Sequence, residues 1–428
     1  MAHRLVPPPT PRPDRGASVP RLSPWGFIVS FGAVAMLADV VYEGARSITG
    51  PLLADLGATA LVVGLVTGVG ESAALLLRLV SGPLADRTRR FWAWVIAGYA
   101  VTVISVPLLG LTTSLGIAAA LIIAERIGKA IRSPAKDTLL SHASTNTGRG
   151  RGFAVHEALD QAGALAGPLL VAAVLGASAG DYRPALLTLA APGALALTLL
   201  AWVRIHVPDP GQYEQVSQVS PSKSAPDTGP RSGLNGLPRP PRLPRAFWGY
   251  AAFAAFTTTG FVTFGVLSYH LVTSGLLAPP LVPVLYAGAM VVDAIAAVTT
   301  GWAYDKYGLV VLVALPVVAA TIPVLGFAGT LGLVVTGTLV WGIALGIQES
   351  TLRATVADLV PPDRRATAYG IFGAVVGVAA ASGGALAGGL YDISISLLVA
   401  TTAFFQVTAL VVLLKLLGRP DHSLRTPH

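Results

Sequence analysis

Apolar runs of about twenty residues alternate with short polar clusters along most of the chain. An α-helix rises 1.5 Å per residue, so roughly 20 apolar residues cross the hydrocarbon core of a bilayer. The pattern predicts spans at 25–46, 58–81, 92–111, 115–138, 152–176 and 184–205. Six more are predicted at 246–271, 280–302, 309–328, 331–357, 366–390 and 393–416. The ~10-residue alternating segments of a membrane β-barrel are missing from the pattern. The first run ends without a small-residue cleavage site and is read as a span, not a signal peptide. The predicted fold class is an all-α membrane protein of twelve transmembrane helices.

Three polar segments frame the spans. Residues 1–23 are rich in proline, carry Arg4, Arg12, Arg15 and Arg21, and read as a disordered cytoplasmic tail. Residues 207–244 are Pro, Ser, Gly, Gln and Arg with too little apolar content to build a core, hence a linker. Residues 418–428 form a short polar tail. The expected division is therefore 24–206 as an N-terminal six-helix bundle and 245–417 as a C-terminal one.

Composition agrees with the pattern. Of 428 residues, 53% are hydrophobic and 12% charged, and mean hydropathy is +0.68; soluble domains carry about 25% charged residues. The net charge of +8 and pI near 9.9 would suit nucleic acid in a soluble protein. Here the cations fall in alternate loops: Arg87, Arg89 and Arg90; Arg149 and Arg151; Arg204, Lys223, Arg231, Arg239, Arg242 and Arg245; Lys306; Arg364 and Arg365; Lys415 and Arg419. The intervening loops carry chiefly Arg46 and Arg183. The positive-inside rule then puts both termini in the cytoplasm and removes the need for a nucleic-acid partner. There is no cysteine, which excludes disulfides, thiolate metal sites and cysteine catalysis. No phosphate-binding loop, zinc-protease pattern or nucleophile elbow is present, so no cofactor and no enzymatic activity are expected.

The chain repeats itself. Gly163-Ala-Leu-Ala-Gly167 recurs as Gly384-Ala-Leu-Ala-Gly388. Gly82-Pro-Leu-Ala-Asp86-Arg87-Thr-Arg89-Arg90 has a partial copy in Gly301-Trp-Ala-Tyr-Asp305-Lys306-Tyr-Gly308. This pair resembles the signature loop between helices 2 and 3 of the major facilitator superfamily and its echo between helices 8 and 9. Arg89 stands where the pattern has its second glycine; the later copy keeps that glycine as Gly308 but has Ala303 for leucine. The resemblance implies two pseudo-symmetric six-helix bundles that rock about a central cavity. It also implies a cytoplasmic latch built from Gly82, Asp86, Arg87, Arg90, Asp305 and Lys306, with Asp86 engaging the start of helix 11 in the outward-open state.

Charges within spans are costly and face a cavity or a partner. Helix 1 places Asp39, Glu43 and Arg46 on one face. Arg46 is expected to reach the outer surface and pair with Glu43, leaving Asp39 as a candidate for substrate or proton binding. Helix 2 carries Glu71 near the middle and Arg78 near its inner end. Helix 4 carries Glu125, Arg126, Lys129, Arg132, Lys136 and Asp137, with Lys136 expected as an interfacial anchor. Arg126-Ile-Gly128 resembles the arginine–glycine motif of proton-coupled antiporters of the superfamily, which implies that Arg126 sets the proton affinity of a carboxylate; Asp39 is the expected partner. Helix 5 places His156 with Asp160 and carries Gly163, Gly167 and Pro168, similar to part of the antiporter motif, where small residues permit close packing and proline bends the helix. Helix 8 carries Asp293, and helix 10 carries Glu349 and Arg353 at pairing distance. Asp358 and Asp363 are expected in solvent, and Tyr269 and His270 at the outer interface.

The expected function is a secondary active transporter that exports a small drug-like or polar, cationic solute against protons. The expected setting is the bacterial cytoplasmic membrane, multi-pass and monomeric. Expected partners are the solute or ion, protons and the lipid bilayer. The run from Gly128 through Asp160 also looks similar to a bacterial subgroup that includes nickel and cobalt exporters, so a divalent metal stays open as cargo, with His156 a plausible ligand. Proton-coupled uptake, and a non-transporting membrane sensor, are the other readings.

Overall fold

The computed structural model describes residues 22–145, 147–213, 243–361 and 364–418. The expected tails fall almost wholly, and the linker mostly, outside the described residues; so do Lys223, Arg231, Arg239, Arg242, Asp363 and Arg419. Among the described residues there is no strand.

We number the membrane helices α1 to α12. They are α1 (Pro24–Ser47), α2 (Ala60–Thr88), α3 (Phe91–Leu109), α4 (Leu115–Ser144), α5 (Arg149–Ala177) and α6 (Tyr182–His206). The second six are α7 (Arg245–Thr273), α8 (Leu281–Tyr307), α9 (Ala314–Gly326), α10 (Leu331–Leu359), α11 (Arg365–Ile393) and α12 (Ile395–Leu417). A short helix, Thr49–Asp55, prolongs α1. Among the described residues ten stretches are long and apolar enough to cross a membrane. One of them, Leu281–Gly326, holds both α8 and α9, separated at Gly308 by a turn of 3-10 helix, Gly308–Val313. The remaining helix, α4, falls outside the ten because it carries the most charge. Twelve helices in the predicted order result.

Local chemistry sets the ends. Ser23 caps α1, accepting from the Gly26 N–H at 3.1 Å, with Pro24 at the first helical position. Thr59, Asp181 and Ser394 do the same for α2, α6 and α12. The Gly82–Asp86 motif is helical, the last turns of α2, and not a loop; the turn that follows begins at Arg89.

The outside of the bundle is apolar where lipid would touch it: Val298, Trp302 and Ile393 are each about three-quarters exposed (74%, 75% and 74%). Buried apolar clusters fall on either side of the linker. One consists of residues from Phe247 to Leu416; two others draw on residues from Phe27 to Tyr213. Within the first half α1 packs on α5 and α3 on α4; within the second, α8 packs on α10. The halves meet along α2 and α11, along α5 and α8, and where the Thr49–Asp55 helix meets α7.

That junction is not uniform. At the end far from Asp86, backbones touch. A methyl on Gly64 would sit 2.1 Å from the Gly384 carbonyl, and one on Gly50 2.1 Å from the Gly265 carbonyl. Nearer Asp86, α2 and α11 are held apart by Leu75, Leu76 and Leu79, which meet Gly377 and Gly370. The bundle is thus sealed at the far end, while Glu157 and Glu349 of the central cavity lining stay exposed.

Candidate functional site

The site is a chain of charges at mid-depth. Asp39, Tyr42, Glu43 and Arg46 recur at three- and four-residue intervals, so α1 presents them along one stripe. Arg46 donates to Glu43 (3.5 Å) and to Glu71 of α2 (3.2 Å). Glu71 also accepts from Arg126 of α4 at 3.1 Å. Arg126 bonds the Tyr42 hydroxyl, reaches Glu125 at 3.4 Å, and holds its guanidinium 4.6 Å from the Tyr42 ring centre. At the other end Glu43 accepts from the Tyr286 hydroxyl of α8 at 2.5 Å. One network therefore ties three helices of the first half to one of the second. The buried pair in it is Arg126–Glu125, and breaking a buried ion pair by removing one partner costs about 3–5 kcal/mol.

Several expectations change here. Arg126 is held by Glu71, Glu125 and Tyr42, and does not pair with Asp39. Arg46 does pair with Glu43, as expected, but turns inward to Glu71 instead of outward. Lys136 is not a surface anchor: it is partly buried and pairs with Asp160 at 3.4 Å, and His156 lies 3.6 Å from the same carboxylate. Arg132 is buried against α3, donating to Thr102 at 2.7 Å with its guanidinium 4.6 Å from the Tyr99 ring. It braces α3 on α4 and lines neither lobe of the cavity. His270 is buried and bonds Tyr391 at 2.9 Å, inside the second half. Asp358, exposed as expected, still accepts from Tyr304 at 2.8 Å.

Asp39, Asp160, Asp293 and Glu349 line one lobe of the central cavity, with Glu43 and Glu157. Asp39, Asp293 and Glu349 make no ion pair among the described residues. The Glu349–Arg353 pair does not form; Arg353 is exposed, away from the cavity. Glu71 and Arg126 line a neighbouring lobe. Lys129, Tyr42, Tyr286 and Trp341 complete the site and were not singled out from sequence. For Tyr42 the signal was available, since it shares the stripe of Arg46. Among the described residues no group of three or more His, Asp or Glu is arranged to hold a metal ion.

Asp86, Arg87 and Arg90 are exposed at the end of α2, and Asp305 and Lys306 at the end of α8. Asp86 makes no ion pair among the described residues. Gly82 faces Pro134 of α4 with room for a methyl group. Gly163 and Gly167 press on the backbone of α1, where an added methyl would lie 2.2 Å from the Met36 carbonyl and 2.3 Å from that of Val40. Pro168 lies inside α5, which stays helical through it.

Comparison with known proteins places this architecture. Residues 31–288 and 277–428 match the Major Facilitator Superfamily. An uncharacterised protein of Mycobacterium tuberculosis is 57% identical over 398 residues, 93% of this chain and 94% of its own. An uncharacterised MFS-type transporter of Methanocaldococcus jannaschii is 28% identical over 370 residues, covering 85% and 88%. A crystal structure of a variant of the nucleoside transporter NupG superposes with a TM-score of 0.72 at 13% identity, over 91% of this chain and 99% of that one. That last likeness is one of fold. The chain belongs to the Major Facilitator Superfamily of membrane transporters.

Proposed function

We propose that the chain exports a small polar or cationic solute in exchange for protons, by rocking of its two halves about the central cavity. The observation that carries this is the meeting of Asp39 from the first half with Asp293 and Glu349 from the second, none of them paired with a cation. A carboxylate at mid-depth is neutralised by a proton or by cargo, so this cluster exchanges one for the other as the halves move. Asp39 carries the proton in this reading. Arg126, saturated by its own partners, keeps α1, α2 and α4 in register.

Cations gathered at the Asp86 end support a cytoplasmic location for that end and for both termini, in a bacterial inner membrane. The cavity then faces the cytoplasm, and the free Asp86 fits a latch that has released. Export is supported by the resemblance of the α4 and α5 segments to proton antiporters. A divalent metal gains no support, because Lys136 occupies the Asp160 carboxylate beside His156. Each chain holds a whole cavity, which makes a monomer sufficient.

The test is growth of an efflux-deficient bacterium expressing the chain, challenged with toxic organic cations. Protection is expected, and Asp39→Asn is expected to abolish it with the protein still in the membrane. Sensitisation by the wild type would mean uptake. Protection unchanged in Asp39→Asn would remove the coupling role.

A further inference from the structure

The cavity has two lobes, one predominantly acidic and one that combines aromatic rings with Arg46, Glu71, Arg126 and Lys129. The acidic lobe, of about 130 Å³, lies between α1, α5, α8 and α10. The second, of about 210 Å³, is walled by Phe261, Phe264 and Trp341 on one side and by Tyr42 and Ile122 on the other. Arg46, Lys129, Leu345 and Glu349 border both lobes, so the two are contiguous.

The acidic lobe is short of positive charge. Glu43 is matched by Arg46, and Asp160 by Lys136. Among the described residues Glu157 is bonded only to Gln161, at 3.4 Å. Asp39, Asp293 and Glu349 have no hydrogen-bonding or ion-pair partner among the described residues. Two cations border the lobe: Arg46, already paired with Glu43 and Glu71, and Lys129, whose ammonium lies 4.1 Å from the Tyr42 ring centre. Asp293 is the sharpest case. It is 3% exposed, and its Oδ1 has no hydrogen-bond donor. A buried acceptor left unmet is expensive, more so when charged. Protons can neutralise part of the cluster, but a proton gives no purpose to an adjoining lobe of aromatic rings. No metal-binding arrangement exists among the described residues.

We infer that the transported solute is an organic amine with an aromatic or bulky apolar body. The inference rests on the transport reading above and names its substrate class. The ammonium donates to Asp293 and Glu349, and the body lies among Phe261, Phe264 and Trp341. Glu349 and Leu345 border both lobes, so an ammonium held at Glu349 has its body directed past Leu345 toward the aromatic side of the second lobe, with Arg46 and Lys129 flanking the passage. The aromatic faces add attraction for the cationic head. Asp293 and Glu349 are the specificity-determining residues, and Asp39 stays free for the proton.

The experiment is calorimetric titration of the purified full-length chain with four probes of one size: 2-phenylethylamine, phenylethyltrimethylammonium, 2-phenylethanol and 3-phenylpropionate. The two cations are expected to bind, the alcohol and the carboxylate not. Asp293→Asn is expected to weaken 2-phenylethylamine about tenfold or more, equivalent to about 1.4 kcal/mol. Trp341→Ala is expected to weaken 2-phenylethylamine but not methylamine. The ligand series on wild type needs no variant to fold. Phenylpropionate or phenylethanol binding as tightly as the amine overturns the inference, as does absence of binding by both cations. Proton movement in proteoliposomes is read separately. An amine that binds without moving protons sinks the coupling scheme and spares the inference. Proton-driven protection without amine binding does the reverse.

Discussion

Gly163-Ala-Leu-Ala-Gly167 and Gly384-Ala-Leu-Ala-Gly388 are identical in sequence and make the same kind of contact with different mechanical consequences. In α5, Gly163 and Gly167 press on α1, a helix of the same half. In α11, Gly384 and Gly388 press on α2 of the other half, where a methyl would lie 2.3 Å from the Gly64 carbonyl and 2.1 Å from that of Ala60. Both are backbone-to-backbone contacts that only a missing Cβ allows. In the rocking proposed above, the first joins helices that travel together and the second is a seal that has to part. On that reading a duplicated motif serves once as a weld and once as a gate.

The comparison breaks or holds on two substitutions. Gly163→Ala is expected to have the largest effect. Its Cβ meets a carbonyl that cannot rotate away, and overpacking of this kind costs about 1–3 kcal/mol. Loss of monodisperse protein and a lowered unfolding temperature would show it. Gly384→Ala meets an equally close carbonyl, but the halves can separate to relieve it. We expect near-normal stability and a shift toward the state open at the far end. The chain has no cysteine, so Thr67→Cys, which lines the cavity close to this seal, serves as a unique reporter. Its labelling by an impermeant maleimide from the far side should rise roughly tenfold for each 1.4 kcal/mol of shift. Equal losses of stability in both variants would end the distinction.

A smaller effect at the same seal is expected from Asp392. Its carboxylate, at the end of α11, accepts from the N–H groups of Ala60 at 3.2 Å and Leu61 at 3.0 Å, the first residues of α2. It is a cap supplied to a helix by the opposite half, favoured by the positive end of the α2 dipole. Asp392→Asn removes the charge and one acceptor, worth about 1 kcal/mol or less. A few-fold rise in Thr67→Cys labelling is expected, with no change in unfolding temperature. A large drop in that temperature would mean that Asp392 holds the fold together and not the gate.

How much of this was legible follows from which partner a residue has. Helix positions came from apolar run length, and the family from two partial motif copies. Both survive, α4 included despite its charge, although several helix ends move, as at α2, which runs on through the motif to Thr88. The glycine repeats were visible; what they touch was not, because one sequence can face α1 or α2 depending on helix rotation. Asp392 was invisible because its partners are backbone groups some 330 residues away (332 and 331). Asp39 is the expected partner of Arg126 because the family resemblance has helices 1 and 4 both line the cavity. Depth is readable from sequence, but azimuth is not, and azimuth turned Arg126 toward Glu71. Lys136 misled for the opposite reason: long cations near a span end usually reach the interface, yet Asp160 lay within its reach inside the bundle.

The second duplicated motif sharpens the comparison with the smallest effect. Its closing position is Arg89 in the first copy and Gly308 in the second, and both have positive φ, 50° and 62°. They differ in ψ. Arg89 has ψ 18°, the left-handed helical region, which an L-residue occupies at modest cost. Gly308 has ψ −146°, a region close to the one reserved for glycine, where other residues lose about 1–3 kcal/mol. The first copy can therefore dispense with glycine and the second cannot. Gly308→Ala is expected to cost on the order of 1 kcal/mol, since it would have to reshape the break between α8 and α9. Arg89→Gly is expected to change stability by no more than about 0.5 kcal/mol, because relief of the left-handed backbone is offset by a floppier unfolded chain. Thermal unfolding of the two variants side by side decides it. If Arg89→Gly is the more damaging, the Arg89 side chain, and not the turn, is what the first copy preserves.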